Sequence, residues 1–213
     1  MRKIITLVLI FIAFTLQAQD LKSLYIAIPD SLSPLLTKVN RQDFGDFLAS
    51  GMKAKVKNRF GNESEMTRLT SDYLQLNLTT VSSLEMKLLP VNDTTKIICV
   101  AKTYLGPVAD TEILFYSSSW KKLKTSDFIQ LPQKEDFFIL PTTIEQRDSL
   151  EHLKAQADLH LCEAKLSEKE QTLSFTYTVP RYLEEKTAHA IQNYLLKHPL
   201  LYEWKEGRFV RKN

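Results

Sequence analysis

The sequence predicts an α+β protein: antiparallel β-meander sheets with flanking helices. Three observations carry this. Apolar residues recur at three- and four-residue spacing near the start of the chain, over 144–157 and after Pro180. Strict alternation fills the middle of the chain, and its short strands follow one another instead of alternating with helices.

From Asp20 to Gly51 the pattern is helical. Asp30-Ser31 ahead of Pro34-Leu35-Leu36 reads as a helix start with proline in its first turn. Asp43, Phe44, Phe47 and Leu48 continue an apolar face that ends near Gly51. Period two then takes over. Lys53, Lys55, Lys57 and Arg59 alternate with Ala54, Val56 and Asn58; Leu74, Leu76 and Leu78 with Tyr73, Gln75 and Asn77; Leu84, Met86 and Leu88 with Glu85 and Lys87. Runs at 97–104 and 111–117 follow, separated by Gly106-Pro107 and Asp110. Compact polar breaks between short strands predict a meander.

Residues 132–143, with Pro132, Pro141 and Phe137-Phe138, read as a connecting segment. They would divide a lobe at 19–131 from a smaller one at 144–213, or lie within one continuous domain 19–213. Ile144 to Ala157 is predicted helical, 159–166 and 172–179 a hairpin. A helix is predicted from Tyr182 to about His198-Pro199. Leu200–Trp204 and Arg208–Arg211 close the chain as a hairpin over Lys205-Glu206-Gly207.

The address is written at the N-terminus. Met1-Arg2-Lys3 precedes an uncharged, mostly aliphatic run from Ile4 to Leu16, then Gln17-Ala18-Gln19-Asp20. A membrane span needs about 20 apolar residues, so this run fits the core of a cleaved secretory signal over 1–18, cut after Ala18. No cysteine follows it, so a lipoprotein is not expected, and no later segment is apolar enough for a span. The expected location is the periplasm or cell envelope.

Composition narrows the function classes. The chain of 213 residues is 44% hydrophobic and 25% charged, which excludes collagen, low-complexity scaffolds and wholesale disorder. Its 28 basic and 25 acidic residues come nearly into balance once Arg2 and Lys3 leave with the signal. Nucleic-acid binding rests on clustered Lys and Arg, so it is not expected.

Chemical motifs are sparse. The sequence lacks a nucleophile elbow, a metalloprotease helix, a phosphate loop, an EF-hand and a dinucleotide fingerprint, so no catalytic, cofactor-binding or metal-ligating residue is assigned. His160 and Cys162 would share a strand face and are the first residues to test for hydrolase or transferase chemistry. The carboxylate pairs Glu184-Glu185 and Glu168/Glu170 are explained by a helix start and a turn. The row Lys53, Lys55, Lys57, Arg59 would point one way from a strand, either as a polyanion contact or as an edge protected against aggregation. Cys99 and Cys162 are candidates for a disulfide, or for two thiols buried as small hydrophobes.

Several blocks carry a family likeness. They are the opening Ser23-Leu24-Tyr25-Ile26-Ala27-Ile28-Pro29-Asp30-Ser31-Leu32, the middle Met86-Lys87-Leu88-Leu89-Pro90-Val91 with Pro107-Val108-Ala109-Asp110, and the closing Trp204-Lys205-Glu206-Gly207-Arg208-Phe209. They resemble the secreted Bacteroidales family catalogued as domain of unknown function 3256. The resemblance covers the mature chain and implies an envelope or exported protein. It brings no activity or cofactor. That origin also makes Ser31, Thr94 and Ser149, each after an Asp, candidate O-glycosylation sites.

The expectation is an exported, non-catalytic binding module that contacts an envelope polymer or protein through a sheet surface or a groove. The alternatives are a cryptic hydrolase or transferase on an envelope substrate, and a subunit of a periplasmic or outer-membrane complex.

Overall fold

The computed structural model describes residues 20–212, so the predicted signal and its cleavage after Ala18 lie outside the described residues. Alternation does build the middle of the chain. Strands β1 (Ala54–Lys57), β2 (Glu63–Leu69), β3 (Tyr73–Thr79), β4 (Ser82–Pro90), β5 (Lys96–Tyr104), β6 (Asp110–Ser117) and β7 (Lys122–Leu123) form one antiparallel sheet in chain order. A second antiparallel sheet takes β8 (Cys162–Leu166), β9 (Thr172–Tyr177), β10 (Leu200–Lys205) and β11 (Arg208–Arg211), ordered β11-β10-β9-β8. The predicted α+β class with antiparallel meanders is the observed one.

Helices α1 (Leu21–Ile26) and α2 (Lys38–Ala49) lie on one face of the large sheet. There Leu21, Tyr25 and Phe44 pack with Leu74, Leu76, Met86 and Ile98. On the opposite face Cys99, Ile113 and Phe115 pack with Phe175, Tyr202 and Phe209 of the small sheet. The middle strands are therefore buried on both faces, and β5 reads Ile97-Ile98-Cys99-Val100-Ala101 without polar interruption. Phe137 and Phe138 of the predicted connecting segment sit in the same cluster as Phe115 and Phe175, so residues on both sides of 132–143 share one core. Helices α3 (Ile144–Gln156) and α4 (Glu185–Gln192) complete the chain.

Local chemistry sets the boundaries. The α2 N-cap is Thr37, whose hydroxyl accepts from the Asn40 N–H while the Asn40 side chain accepts from the Thr37 N–H. Residues 27–37 are turns, so the helix predicted from Asp30-Ser31 does not form and Pro34 lies outside any helix. A buried guanidinium replaces helical bonding there. Arg41, 2% exposed, donates to the carbonyls of Ile26, Ile28 and Leu36 and to Asp30. Arg59 binds the other Asp30 oxygen at 2.8 Å.

The helix predicted to run to His198 is also shorter. A 3-10 turn over Val179–Arg181 precedes α4, which stops at Gln192. Beyond it, Ile139 N–H donates to the Tyr194 carbonyl and Leu196 N–H to the Phe137 carbonyl, sheet-like bonds that a helix would forfeit. The closing hairpin forms as expected, with Glu206 and Gly207 both at positive φ, 48° and 78°, as a type I′ turn requires.

Candidate functional site

The small sheet covers only part of the large one, and a polar row remains open beside it. Register fixes that row: Lys55 faces Glu65, Glu65 faces Asn77, Asn77 faces Ser83, Ser83 faces Thr103 and Thr103 faces Thr111. Side chains two residues apart along a strand share a face. The neighbouring row on that face is Gln75, Glu85 and Ala101, and the next is Tyr73, Lys87, Cys99 and Phe115. Polarity thus falls along β3 and β5, from an open polar end to a less polar end under the small sheet, whereas β4 carries Glu85 and Lys87 inward.

Strand β8 forms the wall where cover begins. With Glu163 and Lys165 it encloses a groove of about 530 Å³ floored by the polar row. Crossing β1 to β5 takes four inter-strand steps, about 19 Å. Asn77 and Ser83, at its middle, make no side-chain hydrogen bond among the described residues. The other groups are already matched. Lys55 Nζ lies 2.8 Å from Glu63 and 4.0 Å from Glu65, and Lys165 lies 3.0 Å from Glu163. Thr103 pairs with Thr111 at 2.9 Å and Thr79 with Ser82 at 2.7 Å.

Glu85 closes the inner end. Its Oε1 accepts from the Tyr73 hydroxyl at 3.1 Å and from Gln75 Nε2 at 3.2 Å; its Oε2 accepts from the Leu166 N–H at 2.8 Å. Burial still pushes its carboxyl above the ordinary glutamate value, outweighing these donors. Deeper in, the Lys87 amine, 2% exposed, meets Asp72 at 2.9 Å and donates to the Glu168 carbonyl at 2.8 Å.

The basic row predicted from the sequence lies at the far edge of this groove. Only Lys55 and Lys57 belong to β1; Lys53 precedes it and Arg59 follows the buried Asn58. Acids of β2, together with Asp30, meet most of its charge. Lys53 lies 3.8 Å from Glu65, Lys55 pairs as above, and Arg59 is held by Asp30. Lys55 holds the Glu63 carboxyl below its usual range, first through its hydrogen bond and then by charge.

His160 and Cys162 do not share a strand. β8 begins at Cys162, while the loop holding His160 is drawn over Tyr177, whose hydroxyl donates to the Leu159 carbonyl at 3.2 Å. Burial pushes the Cys162 thiol up to about 12, with Asp110 adding to the rise, so the neutral thiol dominates near neutrality. Cys99 is fully buried in the core, and both cysteines are free thiols. Glu168 and Glu170 do lie in the turn before β9, Glu168 pairing with Arg68 at 3.6 Å, and Glu184 stands at the N-cap position of α4 without a side-chain cap hydrogen bond. Ser31 and Thr94 stand on exposed turns, whereas Ser149 lies in α3 and donates to the Glu145 carbonyl at 2.8 Å. Among the described residues, no three His, Cys, Asp or Glu side chains gather as a metal site, and no helix is long and apolar enough to cross a membrane.

Sequence reading missed Asn77, Ser83, Glu85 and Thr103 as a group, because only the pairing register brings them together. The alternation signal was present for three of those strands, but not the alignment between them.

The fold and this register allow comparison with known proteins. Residues 13–209 match the family described as Protein of unknown function (DUF3256). The chain belongs to that family. A solved domain of an uncharacterized protein from Porphyromonas gingivalis is similar to this DUF3256 chain, with 34% identity and a TM-score of 0.80. The match covers 90% of this chain and 98% of that one. No curated protein matches this DUF3256 chain.

Proposed function

We propose that this protein is an exported, non-catalytic binding module of the cell envelope. Its groove would take an uncharged, hydroxyl-rich polymer such as a neutral envelope glycan. The observation that carries this reading is the in-register row from Lys55 to Thr103. It presents the unengaged Asn77 and Ser83 between charges that are matched within the protein. Amide and hydroxyl groups both donate and accept, as sugar hydroxyls do. A floor about 19 Å long, four strand spacings, suits several residues of an extended chain. Lys55 and Lys165 are outnumbered by Glu63, Glu65, Glu85 and Glu163 along the groove, which favours a neutral polymer over a polyanion.

Export rests on the Met1-Arg2-Lys3 start and the apolar run to Leu16. A secreted form beginning at Gln19, read by N-terminal sequencing, is the expected result, and a full-length cytosolic form would refute it. Binding is tested by affinity electrophoresis in gels containing a purified neutral envelope polysaccharide. The wild-type band is retarded, and the double variant Asn77→Ala with Ser83→Ala migrates freely. Equal retardation of both proteins, or of neither, would remove the groove as the contact site.

A further inference from the structure

The turns at the open end of the groove carry apolar side chains where polar ones are usual. Strands β3 and β4 turn at Thr80-Val81, and β5 and β6 turn through 105–109. Both turns leave the same end of the sheet, because Ser82 pairs with Thr79 on one side and with Tyr104 on the other. The Leu105 N–H donates to the Val81 carbonyl at 2.9 Å, so the two tips touch. Hairpin tips favour Gly, Asn, Asp, Pro or Ser, yet Val81 is 59% and Leu105 46% exposed. A single exposed apolar residue needs no explanation. These two stand side by side, and Leu105 is the one large apolar residue on the described lining of the groove. Polarity therefore changes over a short path. Asn77 and Ser83 stand unengaged, the Thr79 and Ser82 hydroxyls face each other at 2.7 Å, and Val81 and Leu105 lie beyond them. From Ser83 to Val81 is two residues, about 7 Å.

We propose that the ligand of the groove is an amphiphile: a neutral glycan whose sugars lie over Asn77 and Ser83 and whose apolar chain lies on Val81 and Leu105. The shelf rests on the glycan reading of the groove and adds the part of the ligand that a polar row cannot hold. Continuity argues for one ligand across both surfaces, since Leu105 belongs to the groove lining and is bonded to Val81. Area argues against a protein on the shelf. A stable protein interface takes about 800 Å² from each partner, far more than two side chains supply, whereas two side chains match the breadth of a single alkyl chain. Charge agrees, because the acids nearest the tips are already engaged. Glu63 pairs with Lys55 at 2.8 Å, and Asp110 accepts from the Cys162 N–H at 3.1 Å. An uncharged chain is the class that loses nothing there. The shelf is open on its outer side, so it covers only part of the chain, and each covered methylene strengthens binding about fourfold.

The test compares maltose with octyl maltoside, the same disaccharide without and with an alkyl chain, below micelle formation and by amide NMR shifts. Maltose is expected to shift Asn77 and Ser83. Octyl maltoside shifts these together with Val81 and Leu105, and binds about tenfold tighter, the gain from roughly two covered methylenes. The double variant Val81→Ser with Leu105→Ser removes that advantage and leaves maltose binding unchanged; serine suits both turns, so the fold is kept. Leu140 is more exposed, at 87%, but lies off the groove lining. Leu140→Ser therefore keeps the full advantage, and its loss there would overturn a defined shelf. Equal affinity of the two probes for wild type, or an advantage that survives in the double variant, would overturn the shelf and leave the groove standing. Shifts at Val81 and Leu105 with none at Asn77 and Ser83 would overturn the groove reading and the shelf with it. Absence of saturation by either probe at about ten millimolar would do the same. Capture of wild type but not the double variant by bare phosphatidylcholine vesicles would overturn the shelf in favour of a membrane surface. A dimer that the double variant abolishes would overturn it in favour of a second copy.

Discussion

The Glu85 carboxylate accepts the outward-facing N–H of Leu166, at 2.8 Å, and so joins the central strand of one sheet to the edge strand of the other. It does not act alone. Thr111 Oγ1 accepts from the Ala164 N–H at 2.9 Å and Asp110 Oδ1 from the Cys162 N–H at 3.1 Å. Every second amide of β8 points away from β9, and three side chains of the large sheet accept those three N–H groups. Open strand edges invite pairing with other chains; here the edge is closed by side chains instead of by a strand.

Glu85→Ala should therefore cost about 2–4 kcal/mol, since it strands the Leu166 N–H and the Tyr73 hydroxyl in the interior. Thr111→Val, which loses one acceptor, should cost about 1–2 kcal/mol. Urea denaturation measures both. A larger species of the double variant on a sizing column is the second expected result, because β8 regains an open edge. Unchanged stability of Glu85→Ala would show that water replaces the carboxylate there.

Arg41 organises the 26–37 segment by bonding carbonyls that no helix satisfies. Arg41→Met keeps the apolar stem but abandons those carbonyls, and a loss of about 3 kcal/mol is expected. Arg41→Lys should fall between, since one ammonium cannot reproduce the planar fork. Hydrogen exchange offers the local check: amides of 28–36 should exchange faster in both variants while those of β9 and β10 stay protected. Uniform acceleration across the protein would refute a local clamp.

These two relationships mark where sequence reading reached and where it stopped. Strands β3 to β6 were legible because Leu74, Leu76 and Leu78, and the β5 run, carry their own periodicity. β2 was not predicted: Glu63-Ser64-Glu65-Met66-Thr67-Arg68-Leu69 buries only Ser64 and Met66, and the bulge between Met66 and Arg68 breaks the alternation. The turn at 27–37 looked like a helix start because Asp30-Ser31 followed by Pro34 is the local signature of one. A contact from Arg41, eleven residues away from Asp30, decided otherwise. The basic row was legible as alternation, but its acids came from β2, the strand that was missed, and, for Arg59, from Asp30 in the 27–37 turns. The polar row needed a register that no single segment contains.

The cysteines yield a sharp chemical expectation. Cys99 is fully buried, with its thiol raised by desolvation, and burial also raises Cys162. Native protein should react with a disulfide reagent slowly at neutral pH. In urea, without reductant, two thiols per chain should react rapidly as their ordinary acidity returns. Protein recovered from an oxidising compartment with no titratable thiol in urea would instead mean that the two sulfurs pair.

Asp30 couples stability to acid. It is held below the usual aspartate value chiefly by the Arg41 hydrogen bond, with Arg59 helping. A carboxyl whose folded value is depressed lends stability above its unfolded value, about 3.9. That contribution is lost as pH falls through the lower folded value, because the unfolded chain binds the proton first. Asp30→Asn removes the charge at every pH. Wild type should therefore melt above Asp30→Asn at pH 7, and the gap should narrow steadily below about pH 4. Scans at a series of pH values measure it. A gap that persists unchanged into strong acid would mean that Asp30 acts through packing or neutral hydrogen bonds, and that its charge contributes nothing to holding the 27–37 turns.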